Sequence, residues 1–115
     1  MKLEDLPKKE GIIRRDGIMY VMGTRNIARV ASALANDTRA KILEIIAREQ
    51  VADLDKIAEE IRQSKANISS QIRKLESVGI VSATYQPGER GIKKLIELKV
   101  RTIIFVVKRD KDQSE

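Results

Sequence analysis

Apolar residues recur at intervals of three and four along four successive segments of the chain, which is the spacing of amphipathic helices. The first such stripe comprises Ile27, Val30, Ala31 and Leu34. The pattern predicts helices over residues 24–35, 37–49, 54–62 and 65–77. The third and fourth helices are separated by a tight turn at Gln63, so they follow each other in the order that a helix-turn-helix requires.

Polar residues that favour helix N-termini stand before three of these helices. Asn36 precedes the second helix and Ser64 the fourth, and each side chain can accept a hydrogen bond from the first helical turn. Asp53 or Asp55 can do the same for the third helix. Gly79 is placed to end the fourth helix, because glycine readily adopts the left-handed conformation common at helix ends.

Segments rich in β-branched residues flank the helices. A hairpin is predicted over residues 12–21, because Asp16-Gly17 is a favoured two-residue turn. Two further strands are predicted at 80–85 and 92–98, around a loop at 86–91. Residues 100–107 are predicted to form a third strand, with a short C-terminal helix as the alternative. Residues 51–55 are expected to form only a connector.

These elements together predict an α+β fold that is mainly helical. We expect a winged helix-turn-helix with a β-hairpin wing at 81–98 and a possible N-terminal hairpin. The 115 residues fit one domain. That domain is expected over 24–107, between an N-terminal arm at 1–23 and a polar C-terminal tail at 108–115.

The fourth helix carries the most informative pattern. Ile68, Ile72 and Leu75 fall on one side at about 100° per residue, and the opposite side is small, polar and basic. Small side chains allow a helix to enter the DNA major groove, where cations can reach guanine edges or flanking phosphates. An ordinary amphipathic helix with a solvated outer face is the alternative. The candidate DNA-binding residues of this helix are Ser64, Lys65, Ala66, Asn67, Ser69, Ser70, Arg73 and Lys74.

The predicted wing offers a second candidate contact with DNA. Its candidate residues are Arg90, Lys93 and Lys94, which would lie along the backbone or enter the minor groove. Lys93 and Lys94 should face opposite ways, because neighbours on a strand alternate. The alternative is an exposed turn whose charge serves solubility.

The distribution of charge supports nucleic acid as the partner. The net charge is +6, and residues 62–101 alone hold nine Lys and Arg against three Glu, which is also a net of +6. A localised basic surface attracts phosphates, although a lysine-rich solvated face of the kind found in thermophile proteins is the alternative. The chain has only three aromatic residues, too few for single-strand binding by base stacking. Duplex DNA is therefore the expected partner.

Composition narrows the chemistry. The chain has no His and no Cys, which excludes structural zinc sites, disulfides and thiol or histidine catalysis. A hard-metal site made of carboxylates stays possible, but no spacing of Asp and Glu indicates one. We therefore expect no enzyme activity, no metal and no cofactor. The longest apolar run, residues 102–107, is far shorter than the roughly 20 residues of a membrane span, and no signal peptide is visible. A cytoplasmic protein without membrane contact is expected.

The pattern resembles the ArsR-type winged-helix regulators over about residues 27–98. The resemblance lies in Leu34-Ala35-Asn36-Asp37-Thr38-Arg39 with Lys41-Ile42-Leu43, in Leu54 with Ile57-Ala58, and in Ser64 to Leu75 closed by Gly79-Ile80-Val81. It implies a homodimeric repressor whose fourth helix lies in the major groove. By position it implicates Lys65, Ala66, Ser69 and Ser70 in base contacts, with Arg73 nearby.

Two departures from the family pattern bear on regulation and assembly. Metal-sensing members carry a Cys pair entering the third helix, where this chain has Val51-Ala52-Asp53-Leu54. This chain therefore does not resemble a thiol metal sensor, and its small-molecule effector, if it has one, is unknown. Members usually end in a helix that contributes to the dimer, whereas residues 100–107 are typical of a strand. The first helix, the N-terminal hairpin and this last segment are the candidate dimer contacts.

Two other functions remain open at this point. One is an architectural DNA-binding protein of low sequence specificity, in which phosphate contacts dominate. The other is a winged-helix protein-interaction module, which should present a neutral, apolar face on the fourth helix. Ser69, Ser70, Arg73 and Lys74 contradict that face, so a sequence-specific transcription regulator is the favoured hypothesis.

Overall fold

A computed structural model describes residues 6–109 of the chain. Its elements confirm the α+β winged helix-turn-helix, with four helices within the described residues. In chain order they are β1 (Gly11–Arg15), β2 (Ile18–Met22), α1 (Thr24–Leu34), α2 (Asp37–Glu49), β3 (Val51–Asp53), α3 (Leu54–Ile61), α4 (Lys65–Ser77), β4 (Val81–Gly88), β5 (Gly91–Leu98) and β6 (Thr102–Val106).

Capping explains why the helix boundaries agree closely with the prediction. The side chain of Asn36 accepts a hydrogen bond from the backbone of Arg39, and Ser64 accepts one from Asn67 at 3.1 Å. Asp53, rather than Asp55, caps α3. α4 ends at Ser77, and Gly79 follows at a φ of +85°, which allows Ile80 N–H to donate back to the carbonyl of Leu75.

The wing spans residues 81–98 as predicted, but its strands are longer and its turn is shorter than predicted. β4 and β5 pair from Val81 opposite Leu98 to Gly88 opposite Gly91, so only Glu89 and Arg90 form the turn. The predicted loop at 86–91 is therefore wrong. Its Pro87 continues the strand because β4 lies at the edge of the sheet, where a missing N–H is tolerated.

Residues 51–55 are more than a connector. Val51–Asp53 form β3, which pairs with residues 95–97 of β5 and completes a wing sheet of order β3-β5-β4. Three residues are too few for a clear alternation of apolar and polar positions. The pairing depends on a strand more than 40 residues later, so no local pattern predicts it.

A second sheet joins the two ends of the described chain. β1 and β2 form the predicted hairpin, with Asp16 and Gly17 both at positive φ in the turn. β6 pairs in parallel with β2, which gives the order β1-β2-β6. Residues 102–106 thus form the predicted strand, the helical alternative is wrong, and the strand's partner is the N-terminal hairpin rather than the wing.

The core lies where the helices meet both sheets. Ile68, Ile72 and Leu75 of α4 are fully buried in the main apolar cluster, which also contains Met19 and Val21 of β2. The buried residues of α1 are Val30 and Ala33, whereas Ala31 of the predicted stripe is exposed, because α1 packs against β2 as well as against other helices. No helix within residues 6–109 has the length and apolar character needed to cross a membrane.

Candidate nucleic-acid interface

The turn between α3 and α4 sets the direction of the candidate recognition helix. Arg62 adopts the left-handed conformation at φ +64°, and the next amide, that of Gln63, donates back to the carbonyl of Ala58 at 3.1 Å. The chain therefore leaves α3 in one residue and begins α4 after Ser64. This sharp reversal lets both helices contribute to one core while the far side of α4 stays outside it.

The outer face of α4 is open to solvent. Ile68, Ile72 and Leu75 have no exposed surface, so the helix is oriented as its sequence pattern predicts. The opposite side presents methyl, hydroxyl, guanidinium and ammonium groups that reach solvent. The exposed residues of this side are Ala66, Ser70, Arg73 and Lys74.

The first turn of α4 is tied to the rest of the protein by side-chain hydrogen bonds. The Asn67 amide donates to the side-chain oxygen of Gln63, and the Gln63 amide donates to Thr38 Oγ1 at 3.2 Å. The chain of contacts runs from α4 to the first turn of α2. Ser64 Oγ accepts from the Asn67 backbone, so the Ser64 hydroxyl still has a proton to donate outward.

The candidate cations fall into two groups according to their partners. Lys65 lies 3.2 Å from Asp55, Lys93 lies 3.7 Å from Asp53, and Lys94 lies 3.8 Å from Glu76. None of the carboxylates within residues 6–109 forms an ion pair with Arg73, Lys74 or Arg90. These three cations are exposed to solvent. Among the candidate DNA-binding cations, they are the three whose charge is not offset by a described carboxylate.

Lys94 occupies a different environment from Lys93, as the alternation along the strand predicts. Only 11% of its side chain is exposed, against 55% for Lys93. Its ammonium group lies 3.5 Å from Ser69 Oγ and 5.8 Å from the centre of the Tyr85 ring. Lys94 therefore lies between the wing and α4, and Ser69 is half-buried beside it.

Two arginines outside the predicted site reach the other end of α4. Arg14 of β1 donates to the carbonyl of Gly79 at 3.1 Å, and Arg29 of α1 donates to that of Ser77 at 3.4 Å. Positive charge at a helix C-terminus is favourable because the helix dipole is negative there. Sequence reasoning missed both contacts, since the partners are 65 and 48 residues apart.

The wing also exposes two large apolar side chains that the prediction left out. Ile92 is 77% exposed and Tyr85 is 67% exposed. Both lie toward the hairpin tip, whose turn residues Glu89 and Arg90 are exposed as well. The alternation of apolar and polar positions along strands of this length could have indicated them. Within residues 6–109, no group of three or more acidic side chains is arranged to hold a metal ion.

Comparison with known proteins gives a family match over part of the chain. Residues 36–83 match the bacterial regulatory proteins of the arsR family. This segment contains α2, α3, α4 and the beginning of β4, so it includes the whole candidate recognition helix. None of the curated proteins compared with the chain matches it.

Several solved structures share the fold. A possible transcriptional regulatory protein from Mycobacterium bovis is 27% identical, with a TM-score of 0.55 over 64% of this chain and 73% of its own. A transcriptional regulator homologue from Pyrococcus horikoshii OT3 is 24% identical, with a TM-score of 0.54 over 59% and 67%. Reduced HlyU from Vibrio cholerae is 15% identical, with a TM-score of 0.54 over 78% and 82%. The last two likenesses establish the fold alone. The resemblance to ArsR-type regulators is confirmed over residues 36–83.

Proposed function

We propose that this chain, whose residues 36–83 match the arsR family of bacterial regulatory proteins, acts as a homodimeric repressor that binds a specific duplex DNA site. A role as a DNA-binding transcriptional regulator is supported by the match of residues 36–83 to the arsR family and by the similarity to the possible transcriptional regulatory protein from Mycobacterium bovis. The operator contacts, the dimer and the direction of regulation are the proposal.

One observation carries the proposal: the outer face of α4 is both uncovered and suited to the major groove. Ala66 and Ser70 are exposed and short, so the helix backbone can approach the base edges. Apolar contact with a thymine methyl is available to Ala66, and a hydrogen bond to a base edge is available to Ser70. A protein-docking face would be apolar, which this face is not.

The cations around α4 would supply most of the affinity. Arg73, Lys74 and Arg90 have no described carboxylate partner, so a phosphate can bind them without displacing an ion pair. Lys65 and Lys93 are exposed in weak pairs, and exchange of Asp55 or Asp53 for a phosphate costs little. Lys94 is the exception, because its ammonium group is already enclosed.

The wing would contact the same duplex beside the groove. Its tip carries Arg90 between Glu89 and Gly91, and the two glycines that flank the turn, Gly88 and Gly91, add no side chain there. Arg is the cation that a narrow minor groove favours. In a homodimer, two copies of α4 would read half-sites about 34 Å apart. Repression rests on the resemblance to the family.

Sequence specificity is tested by selection. The protein would enrich its own sites from genomic fragments, and binding to an enriched duplex and to random duplex would be compared across a salt titration. We expect the enriched site to bind about 10³-fold or more tightly than random DNA at the same salt. Equal and steeply salt-dependent binding to both would instead support a low-specificity architectural protein.

We predict that Arg73→Ala and Arg90→Ala each weaken binding to the enriched site by about tenfold, because each removes an exposed cation that faces DNA in the proposal. Fluorescence anisotropy measures the affinity, and circular dichroism confirms that the fold is intact. Lys41→Ala is the matched control, since Lys41 is an exposed cation on α2, outside both candidate elements. Unchanged affinity in both arginine variants would show that the proposed face is wrong.

A further inference from the structure

The free edge of β6 differs from the other strand edges of the described chain. β1 is guarded by the charged Arg14 and Arg15, and β4 contains Pro87. β3 has only three residues. Charges, proline and shortness are the usual means by which an edge strand avoids pairing with another chain. β6 has none of them, because Thr102–Val106 is uncharged and almost wholly apolar.

An apolar groove runs beside this unguarded edge. Its volume is about 440 Å³, and its apolar lining comes from α2, β6 and the strand ends before β6: Leu43, Ala47, Ile80, Leu98, Val100 and Ile103. Ile103 therefore lies at the border of the groove. Phe105 lies two residues further on the same face of β6 and is 39% exposed. It is the only Phe of the chain.

From these features we infer that β6 is the site at which a second copy of this chain docks, by antiparallel pairing of β6 with its counterpart. The inference rests on the proposed function, which requires a homodimer, and it identifies β6 as the surface through which the two copies bind. Pairing across a local twofold axis would create one sheet of six strands, with order β1-β2-β6-β6-β2-β1. The unpaired backbone N–H and C=O groups at the β6 edge of each copy would then form hydrogen bonds with the other copy.

The occupant of the groove follows from the register. With Ile104 on the twofold axis, Ile103 lies opposite Phe105 of the second copy. Residues directly opposite in an antiparallel pair share a face, so this Phe105 lies beside Ile103 and enters the apolar groove. The same symmetry places this chain's Phe105 in the groove of the second copy.

The uncharged residues of β6 meet at the centre of this register. With Ile104 on the axis, Arg101 lies opposite Val107 and Lys108 lies opposite Val100. The nearest cations that face each other directly are Lys99 and Arg109, five positions from the axis. Residues 102–106 therefore pair only with uncharged residues, and the facing cations lie beyond the ends of the strand.

The first test is the oligomeric state of the full chain by analytical ultracentrifugation. Phe105→Lys should raise the dissociation constant of the dimer at least about 30-fold, because it removes the ring that fills the groove and charges the edge. The matched control is Ile92→Lys, which charges an apolar residue that is 77% exposed on the wing. The control should remain dimeric.

The second test uses the absence of native cysteine. Ile104→Cys should form an intermolecular disulfide on mild oxidation, since the two introduced thiols would meet at the twofold axis. Ile13→Cys is the control, because Ile13 lies on the same face of the sheet but at its opposite edge, through Tyr20. This pair of milder variants decides the question even if Phe105→Lys fails to fold.

The outcomes separate this inference from the proposed function. A dimer that survives Phe105→Lys and forms no disulfide through residue 104 overturns the β6 interface while leaving a dimeric regulator intact. A monomeric native chain overturns both the interface and the dimer. Binding to a duplex with a single half-site, measured in parallel, tests the DNA-reading face independently. It should be unchanged in Phe105→Lys if the interface inference is correct.

Discussion

At the scale of single residues, Arg39 has a structural role inside the protein, although charged residues usually lie at the surface. It is 6% exposed, which makes it the charged residue of the described chain that is most buried. Its Nε donates to the carbonyl of Ala33 at 2.7 Å, and its other nitrogens donate to Ser32 O and Gln71 Oε1. It thus satisfies carbonyls at the C-terminus of α1 and links α1 and α2 to α4.

We predict that Arg39→Met lowers the free energy of unfolding by about 3 kcal/mol, because hydrogen bonds from a charged group are worth about 1.5–3 kcal/mol each and the buried carbonyl of Ala33 loses its donor. Urea unfolding at neutral pH measures the change. Lys41→Met on the exposed side of the same helix should change stability by less than about 0.5 kcal/mol. Equal effects of the two substitutions would refute the capping role.

At the scale of elements, the wing and the candidate recognition helix α4 are joined by side-chain contacts. The enclosed ammonium group of Lys94 joins β5 to α4 through Glu76 and Ser69, while Lys93 points to the other side of the strand. Two neighbouring lysines of the same sequence motif therefore have different roles. Lys93 is exposed to solvent, whereas Lys94 connects the wing to α4.

The salt dependence of DNA binding should distinguish these two lysines. We predict that Lys93→Met reduces the slope of log affinity against log salt by about one, because one phosphate contact is lost. Lys94→Met should lower the affinity and leave the slope unchanged, because Lys94 positions the wing without touching DNA. A drop in slope for Lys94→Met would mean that Lys94 leaves Glu76 and binds phosphate in the complex.

At the scale of the whole molecule, the arm before α1 is part of the folded core. Met19 and Val21 of β2 are completely buried in the same cluster as the helices, and β6 depends on β2 for its only pairing within the described residues. Arg14 extends the connection to the C-terminus of α4. The first and last strands of the described chain, β1 and β6, therefore both depend on β2 for their pairing.

Deletion of residues 1–23 should abolish cooperative thermal unfolding. It removes four buried residues of β2, and burial of one large apolar side chain stabilises a protein by about 1.5–3 kcal/mol, a large share of the roughly 5–15 kcal/mol typical of a domain. Circular dichroism at 222 nm follows the transition. A truncated chain that melts as sharply and at the same temperature as the full chain would show that the arm is a separate appendage.

Much of the candidate site was predictable because it depends on neighbours in the chain. Ser64 caps α4 through a residue three positions away, and Gly79 ends it within a single turn. The spacing of Ile68, Ile72 and Leu75 then fixes which side of α4 is buried and which side can face DNA. The Asp16-Gly17 turn determines its hairpin in the same local way.

The tertiary structure alone decided the features that join distant segments. Nothing near residues 102–106 indicates that their partner is β2, and nothing near Lys94 indicates that Glu76 and Ser69 would enclose it. Arg39 likewise acquires its role from Ala33 and Gln71, on two other helices. Local sequence determined the helices, their caps and the exposed face of α4, because short-range hydrogen bonds and periodic burial act within a few residues. The pairing of sheets and the partners of charges depend on which segments the folded chain brings together.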